Sequence, residues 1–188
     1  MRILFAGAGG VLGRATLPHL SGHDLLGLTR SEERRQVLRA LGAEGVVCDV
    51  YDHEALLRVA APFRPEIVVN FVTDLTGGSA EANNRARREG GANLLALANA
   101  TKASRLVVES VAFTLEGEAG RAVDRLEQST RSFSGETLIL RFGRLWGPGT
   151  AYEAPARPPT LHIDQAGALA AQLIARGAPG THTLVDAG

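Results

Sequence analysis

The sequence predicts an α/β protein built on a doubly wound parallel sheet with helices on both faces. Three observations lead there. Short apolar runs alternate with helical stretches along the chain, and such alternation builds parallel sheets because each crossover must span the sheet. Runs such as Ile3-Leu-Phe-Ala6 and Ile67-Val-Val69 are apolar without interruption, the pattern of strands covered on both faces. The first run is followed at once by Gly7, Gly10 and Gly13, and then by a stretch from Val11 to Leu20 that can be helical.

Those glycines fit a phosphate-binding turn. Gly7 can adopt a backbone conformation barred to other residues, Gly10 admits a pyrophosphate against the main chain, and Gly13 lets the helix lie close to the strand. The N–H groups opening the helix then face the phosphates. Strand, glycine turn and helix together predict dinucleotide binding in a Rossmann-type unit, with Gly7, Gly10, Val11, Leu12 and Gly13 against the cofactor.

Asp24–Thr29 reads as the second strand and Glu32–Leu41 as an arginine-rich amphipathic helix. An acid after the second strand of such a unit binds the free ribose hydroxyls of NAD, whereas arginine suits the extra phosphate of NADP. Here Thr29-Arg30-Ser31 stands at that point. NADP is favoured over NAD, and helix capping is the other reading of the segment.

Glu44–Cys48 is the third strand, with Asp49 and Val50 at its end and a helix from about His53 to Ala61. Asp49 fits either a hydrogen bond to the adenine amine or a capping role in the next turn. Glu66–Phe71 is a central strand, bringing Asn70, Phe71 and Val72 to the cleft with Thr73 and Asp74 beyond; Asp74 reads as a site acid or a loop cap. A long helix spans about Ser79 to Ala100. Arg105–Glu109 is the fifth strand and ends in Ser110; a helix over about Gly120–Ser132 leads to a sixth, Glu136–Arg141. Trp146-Gly-Pro-Gly149 is a turn, and Ala151–Thr160 a proline-rich loop. Leu161-His-Ile163 is a short extended piece, Asp164 caps a helix to about Ala175, and Thr181–Val185 is the last strand.

The chain reads as one domain, with a cofactor half over about residues 1–110 and a substrate side over 111–188. Its 188 residues carry no formal net charge at pH 7, and 45% are hydrophobic, without the basic excess of a nucleic-acid binder. The expected partner is a small-molecule substrate. Cys48 is the single cysteine and sits in an apolar run, and the opening apolar run is too short for a leader or membrane segment. The expected location is the cytoplasm, with no membrane partner. The five histidines lack ligand-like spacing, so no metal is expected.

Five blocks in order, GAGGVLG (Gly7–Gly13), NLLALANA (Asn93–Ala100), RLVVES (Arg105–Ser110), LRFGRLWGPGT (Leu140–Thr150) and LHIDQAG (Leu161–Gly167), resemble the extended short-chain dehydrogenase/reductases. More closely, they resemble the NAD-dependent epimerase/dehydratase branch, including its atypical members. The resemblance implies a Rossmann core, a nicotinamide cofactor and a carbonyl or alcohol substrate, often a nucleotide-sugar. It also implies a catalytic serine after the fifth strand, which Ser110 matches, then a tyrosine and a lysine four residues apart on the next helix. Aligning that helix through Glu127 puts Ala119 and Val123 at those positions. The only tyrosines are Tyr51 and Tyr152, the only lysine is Lys102, and no Tyr-x-x-x-Lys pair exists in the sequence.

The substrate region is also short, with nine residues between Ser110 and Gly120 and twelve between Gly149 and His162. A small open pocket fits that, as does a homodimer in which a second subunit completes the site.

The residues fit an NADP(H)-dependent oxidoreductase or epimerase-like enzyme acting on a small carbonyl or alcohol through a non-standard proton donor. Ser110 would hold the substrate oxygen, its other reading being a hydrogen-bonded turn residue. Thr114, Tyr152, His162, Asp74 or a water would supply the proton. Two readings stand beside it: a non-redox isomerase or cyclase on the same fold, and a non-catalytic NADP(H)-binding sensor.

Overall fold

The computed structural model describes residues 1–73 and 79–186. Seven strands form one all-parallel sheet: β1 (Arg2–Ala6), β2 (Asp24–Thr29), β3 (Glu44–Val47), β4 (Ile67–Asn70), β5 (Arg105–Val111), β6 (Glu136–Phe142) and β9 (Gly180–Leu184), in the order β3-β2-β1-β4-β5-β6-β9. The predicted class is therefore the observed one. From β1 the chain winds outward to β3, then returns to β4 on the other side of β1. The crevice at the carboxyl ends of β1 and β4 is the switch point where such sheets bind ligands.

Alternation along β1 supplies both cores. Ile3 and Phe5 face one layer and Leu4 and Ala6 the other, all four fully buried; each large side chain contributes about 1.5–3 kcal/mol. The first layer is covered by α1 (Val11–Thr16), α2 (Glu32–Ala40) and α7 (Ile163–Arg176), and the second by α3 (His53–Phe63) and α5 (Gly91–Ala100). Phe5, Phe71 and Phe142 meet edge to face at centroid separations of 5.1 and 6.0 Å, tying three strands beneath the crevice. Gly167 of α7 approaches α1 so closely that a side chain there would collide with the carbonyl of Ala15.

Several elements depart from the sequence expectation. The first helix gives way at Thr16 to a 3₁₀ turn, Leu17–Leu20, with Pro18 in its first turn. The long helix is divided: α4 (Ala80–Arg85), a π-turn (Ala86–Gly90) and α5 run end to end. One wide turn breaks the 3.6-residue period on which the expectation of a single helix rested. The next helix, α6 (Gly117–Thr130), begins three residues early and packs beside α5 and on β5. An unexpected strand, β7 (Arg144–Trp146), pairs with β8 (Thr160–His162) in a separate two-stranded sheet. His162, not Asp164, is the N-cap of α7, its Nδ1 accepting from the Asp164 N–H at 3.3 Å.

Candidate active site: the cleft over the glycine turn

The crevice is lined along its floor by Gly7, Gly9, Gly10, Val11, Leu12 and Gly13. Gly7 has φ +87°, and a side chain there would strike the carbonyl oxygen of Phe71; one on Gly13 would strike the Gly7 carbonyl. Both positions demand glycine because β4 and α1 close on the turn from opposite sides. The Gly10 N–H donates to the Gly7 carbonyl at 3.0 Å, fixing the turn, while the N–H groups opening α1 precede any intrahelical partner. The shape fits a dinucleotide: a floor without side chains, with N–H donors at its centre.

Thr29 and Arg30 line the end of the cleft beyond β2, joined by Arg34 from the first turn of α2. Ser31 caps α2, its hydroxyl accepting from the Arg34 N–H at 3.3 Å, which sets Arg34 on the cleft side beside Gly9. Among the described residues neither arginine has a carboxylate partner. Cys48, Val50 and Tyr51 form the next wall. Arg85 stacks over the Tyr51 ring at 4.0 Å, and Asn93 holds the Val50 carbonyl at 2.9 Å, so α4 and α5 brace this wall from behind. Burial pushes the Cys48 thiol and the Tyr51 phenol above their ordinary values, which keeps both neutral. Phe71, Val72, Thr73, Ala86 and Glu109 complete the far end.

Of the cofactor residues expected from sequence, Gly7, Gly10, Val11, Leu12, Gly13, Thr29, Arg30, Val50, Phe71 and Val72 line this cleft. Three others are used beside it. Ser31 serves as the cap just described, Asp49 accepts from the Tyr51 N–H at 3.0 Å as a turn cap, and buried Asn70 accepts from the Val72 N–H at 3.1 Å. Arg34, Tyr51 and Glu109 were missed. The place of Arg34 in the first turn of a helix that starts right after Arg30 and Ser31 was the available signal for it; nothing local marks Glu109, which only strand alternation aims into the cleft.

The expected catalytic residues are not brought together. Ser110 is buried and donates to Glu127 at 2.7 Å. Glu127 also accepts from Arg141, at 2.8 and 2.6 Å, and from Arg131 at 3.0 Å. Burial alone would raise this carboxyl, but the hydrogen bonds from Arg141, Ser110 and Arg131 outweigh it and hold Glu127 at about 2. Thr114 lines a second cavity with Val111, Val123, Asp124, Arg141 and Thr183. Tyr152 is exposed and lines neither space. His162 meets Trp146 edge to face at 4.5 Å while capping α7. Asp74 lies outside the described residues. Lys102 follows α5 and precedes the amino end of β5, so it lies at the end of the sheet opposite the cleft.

With this geometry in view, residues 3–114 match the NAD dependent epimerase/dehydratase family. The chain belongs to that family. A relative from a Streptomyces species, a 3-diazoavenalumate denitrifying reductase, is 35% identical over 182 residues, covering 81% of this chain and 59% of the relative. The chain thus spans less than two thirds of that relative's length. Solved structures agree in fold. The UDP-glucose 4-epimerase of Thermus thermophilus in complex with NAD superposes with a TM-score of 0.81 at 16% identity, over all of this chain and 78% of that one. The Bordetella bronchiseptica enzyme WbmH in complex with NAD+ gives 0.80 at 12%, over all of this chain and 76% of that one. The family is an NAD(P)-dependent one, and both of those solved structures hold NAD. Among the described residues no helix is long and apolar enough to cross a membrane, and no group of acids, histidines and cysteine is placed to hold a metal.

Proposed function

We propose that this chain is an NADP(H)-dependent reductase whose acceptor takes a hydride without a proton from a tyrosine. The observation that carries the reading is the composition of the cleft: two arginines at the β2 end that have no carboxylate partner among the described residues, and no tyrosine–lysine couple in the sequence. Arg30 and Arg34 would hold the 2′-phosphate, the glycine turn the pyrophosphate, and Val50 and Tyr51 the adenine. Phe71, Val72 and Thr73 would wall the nicotinamide.

The missing proton donor bears on the substrate. A carbonyl reduced to an alcohol needs a proton as well as a hydride, and Ser110, which would present it, is committed to Glu127. The Streptomyces relative is named for a diazo substrate and for denitrification. When bound, NADPH supplies a hydride, and a hydride replacing dinitrogen on a diazonium carbon needs no proton: its electron pair makes the C–H bond while the C–N pair leaves with the gas. An arenediazonium acid is the substrate class that suits a chain lacking the donor pair, and the second cavity, which begins two residues beyond Glu109 on β5, is where it would enter.

The test is incubation with NADPH deuterated at the nicotinamide C4 and a carboxylated benzenediazonium, beside a panel of small aldehydes and ketones. Protein-dependent loss of NADPH absorbance, with deuterium at the vacated arene carbon, is the expected result. Diazonium loss no faster than without protein, together with turnover of a ketone, would return the site to carbonyl chemistry.

A further inference from the structure

Among the described residues that line the cleft, Glu109 is the single acid. Its placement follows from strand alternation. Val107, two residues earlier, lies in the core layer beneath α1 and α7, so Glu109 leaves the same face of β5 where that core gives way to the cleft. In a doubly wound sheet the half around β1, β2 and β3 takes the adenosine, and the half beginning at β4 takes the second nucleotide. Glu109 therefore stands in the nicotinamide half. Among the described residues no donor hydrogen-bonds its carboxyl, and the one charge acting on it is Arg87 of the π-turn, beyond ion-pair distance. The other charged or titratable groups of the cleft, Arg30, Arg34, Cys48 and Tyr51, line the adenosine half.

We propose that Glu109 is a specificity-determining residue for the redox state of the cofactor: its carboxylate favours the oxidised, cationic nicotinamide over the reduced, neutral one. The same attraction stabilises positive charge growing on the ring as hydride departs, so that Glu109 assists donation electrostatically while exchanging no proton. This inference rests on the cofactor reading above.

Burial pushes the Glu109 carboxyl up to about 7, with Arg87 pulling it back, so its charge changes across the neutral range. The sign follows. Below the midpoint the carboxyl is neutral and gives no preference; above it the carboxylate attracts the oxidised ring, and that affinity rises with pH. By linkage, binding of the oxidised form must lower the Glu109 midpoint and release protons.

The experiment is calorimetric titration of the full chain with NADP+ and with NADPH between about pH 6 and about pH 8.5, on wild type, Glu109→Gln and Arg87→Leu. The 2′-phosphate titrates near about pH 6 in both forms, and the ratio of the two dissociation constants cancels it. In wild type the NADP+/NADPH ratio is expected to fall by roughly five- to tenfold as pH rises. Glu109→Gln should flatten the ratio. Arg87→Leu, which removes the one cation depressing the carboxyl, should move the midpoint upward, and it keeps the proposal testable if Glu109→Gln does not fold. A slope unchanged by Glu109→Gln, or a ratio independent of pH while both forms bind, overturns this inference alone. Absence of binding by either form overturns the cofactor reading and this one with it.

Discussion

The Ser110 hydroxyl donates to the Glu127 carboxylate at 2.7 Å, and both residues are buried. A serine expected to hold a substrate oxygen is instead one of three side chains, with Arg141 and Arg131, on a carboxylate that joins β5, α6 and β6. Ser110→Ala is therefore expected to cost about 1.5–3 kcal/mol of folding stability, because it takes a donor from a buried charge. NADPH affinity should stay within about twofold of wild type. Urea unfolding beside a cofactor titration measures both, and intact stability with abolished turnover would mark Ser110 as catalytic instead.

The same carboxylate makes the fold acid-sensitive in a defined window. Glu127 is held at about 2 in the folded chain against an ordinary 4.5. A depressed acid contributes stability that is fully present above the unfolded value and lost as pH falls through the folded one. Between about pH 4.5 and about pH 2 the chain should lose on the order of 3 kcal/mol through this group. In Glu127→Gln the pH dependence of the unfolding midpoint should flatten across that range, and an unchanged slope would show that other carboxyls dominate.

Arg30→Ala and Arg34→Ala should each weaken NADPH roughly 10- to 100-fold, the worth of a charge-assisted hydrogen bond. NADH affinity should barely move. Fluorescence titration of both cofactors reads the difference, and equal losses for NADH and NADPH would contradict a role in phosphate recognition.

Gly7→Ala and Gly22→Ala separate backbone strain from collision. Both glycines have positive φ, +87° and +91°, but nothing lies within 4 Å of a side chain placed at Gly22, whereas one at Gly7 meets the Phe71 carbonyl. Gly22→Ala should cost about 1–2 kcal/mol and leave cofactor binding intact. Gly7→Ala should cost more and abolish binding, since β4 must move away from the turn. Similar stability losses in the two variants would show that the Phe71 contact relaxes freely.

The central strands and the glycine turn were legible because both are local signals. An uninterrupted apolar run such as Ile3–Ala6 admits few alternatives, and Gly7, Gly10 and Gly13 stand where backbone meets backbone. The catalytic side was less legible because its geometry is not local. Ser110 occupies the expected place at the end of β5, but only Glu127, seventeen residues away, decides what its hydroxyl does. Glu109 read as the end of a strand, and its cleft position depends on which layer Val107 fills. Arg87 was hidden in a charged helix face, where no periodic rule foresees a π-turn.

That π-turn has a consequence for how the chain tolerates insertion and deletion. Each helical residue turns the chain by about 100°, and a π-turn stores one residue beyond the α-helical count. Excising one residue between Ala86 and Gly90 would restore a regular helix and swing one half against the other. Leu94, Leu97 and Ala98 pin the later half in the core, so the earlier half would turn and carry Arg85 off the Tyr51 ring. The shape of the cleft wall at Tyr51 is thus indexed to a single residue of length, placed one to three turns before the core contacts that hold it. A relative with a shorter helix there would present a different wall on the same sheet.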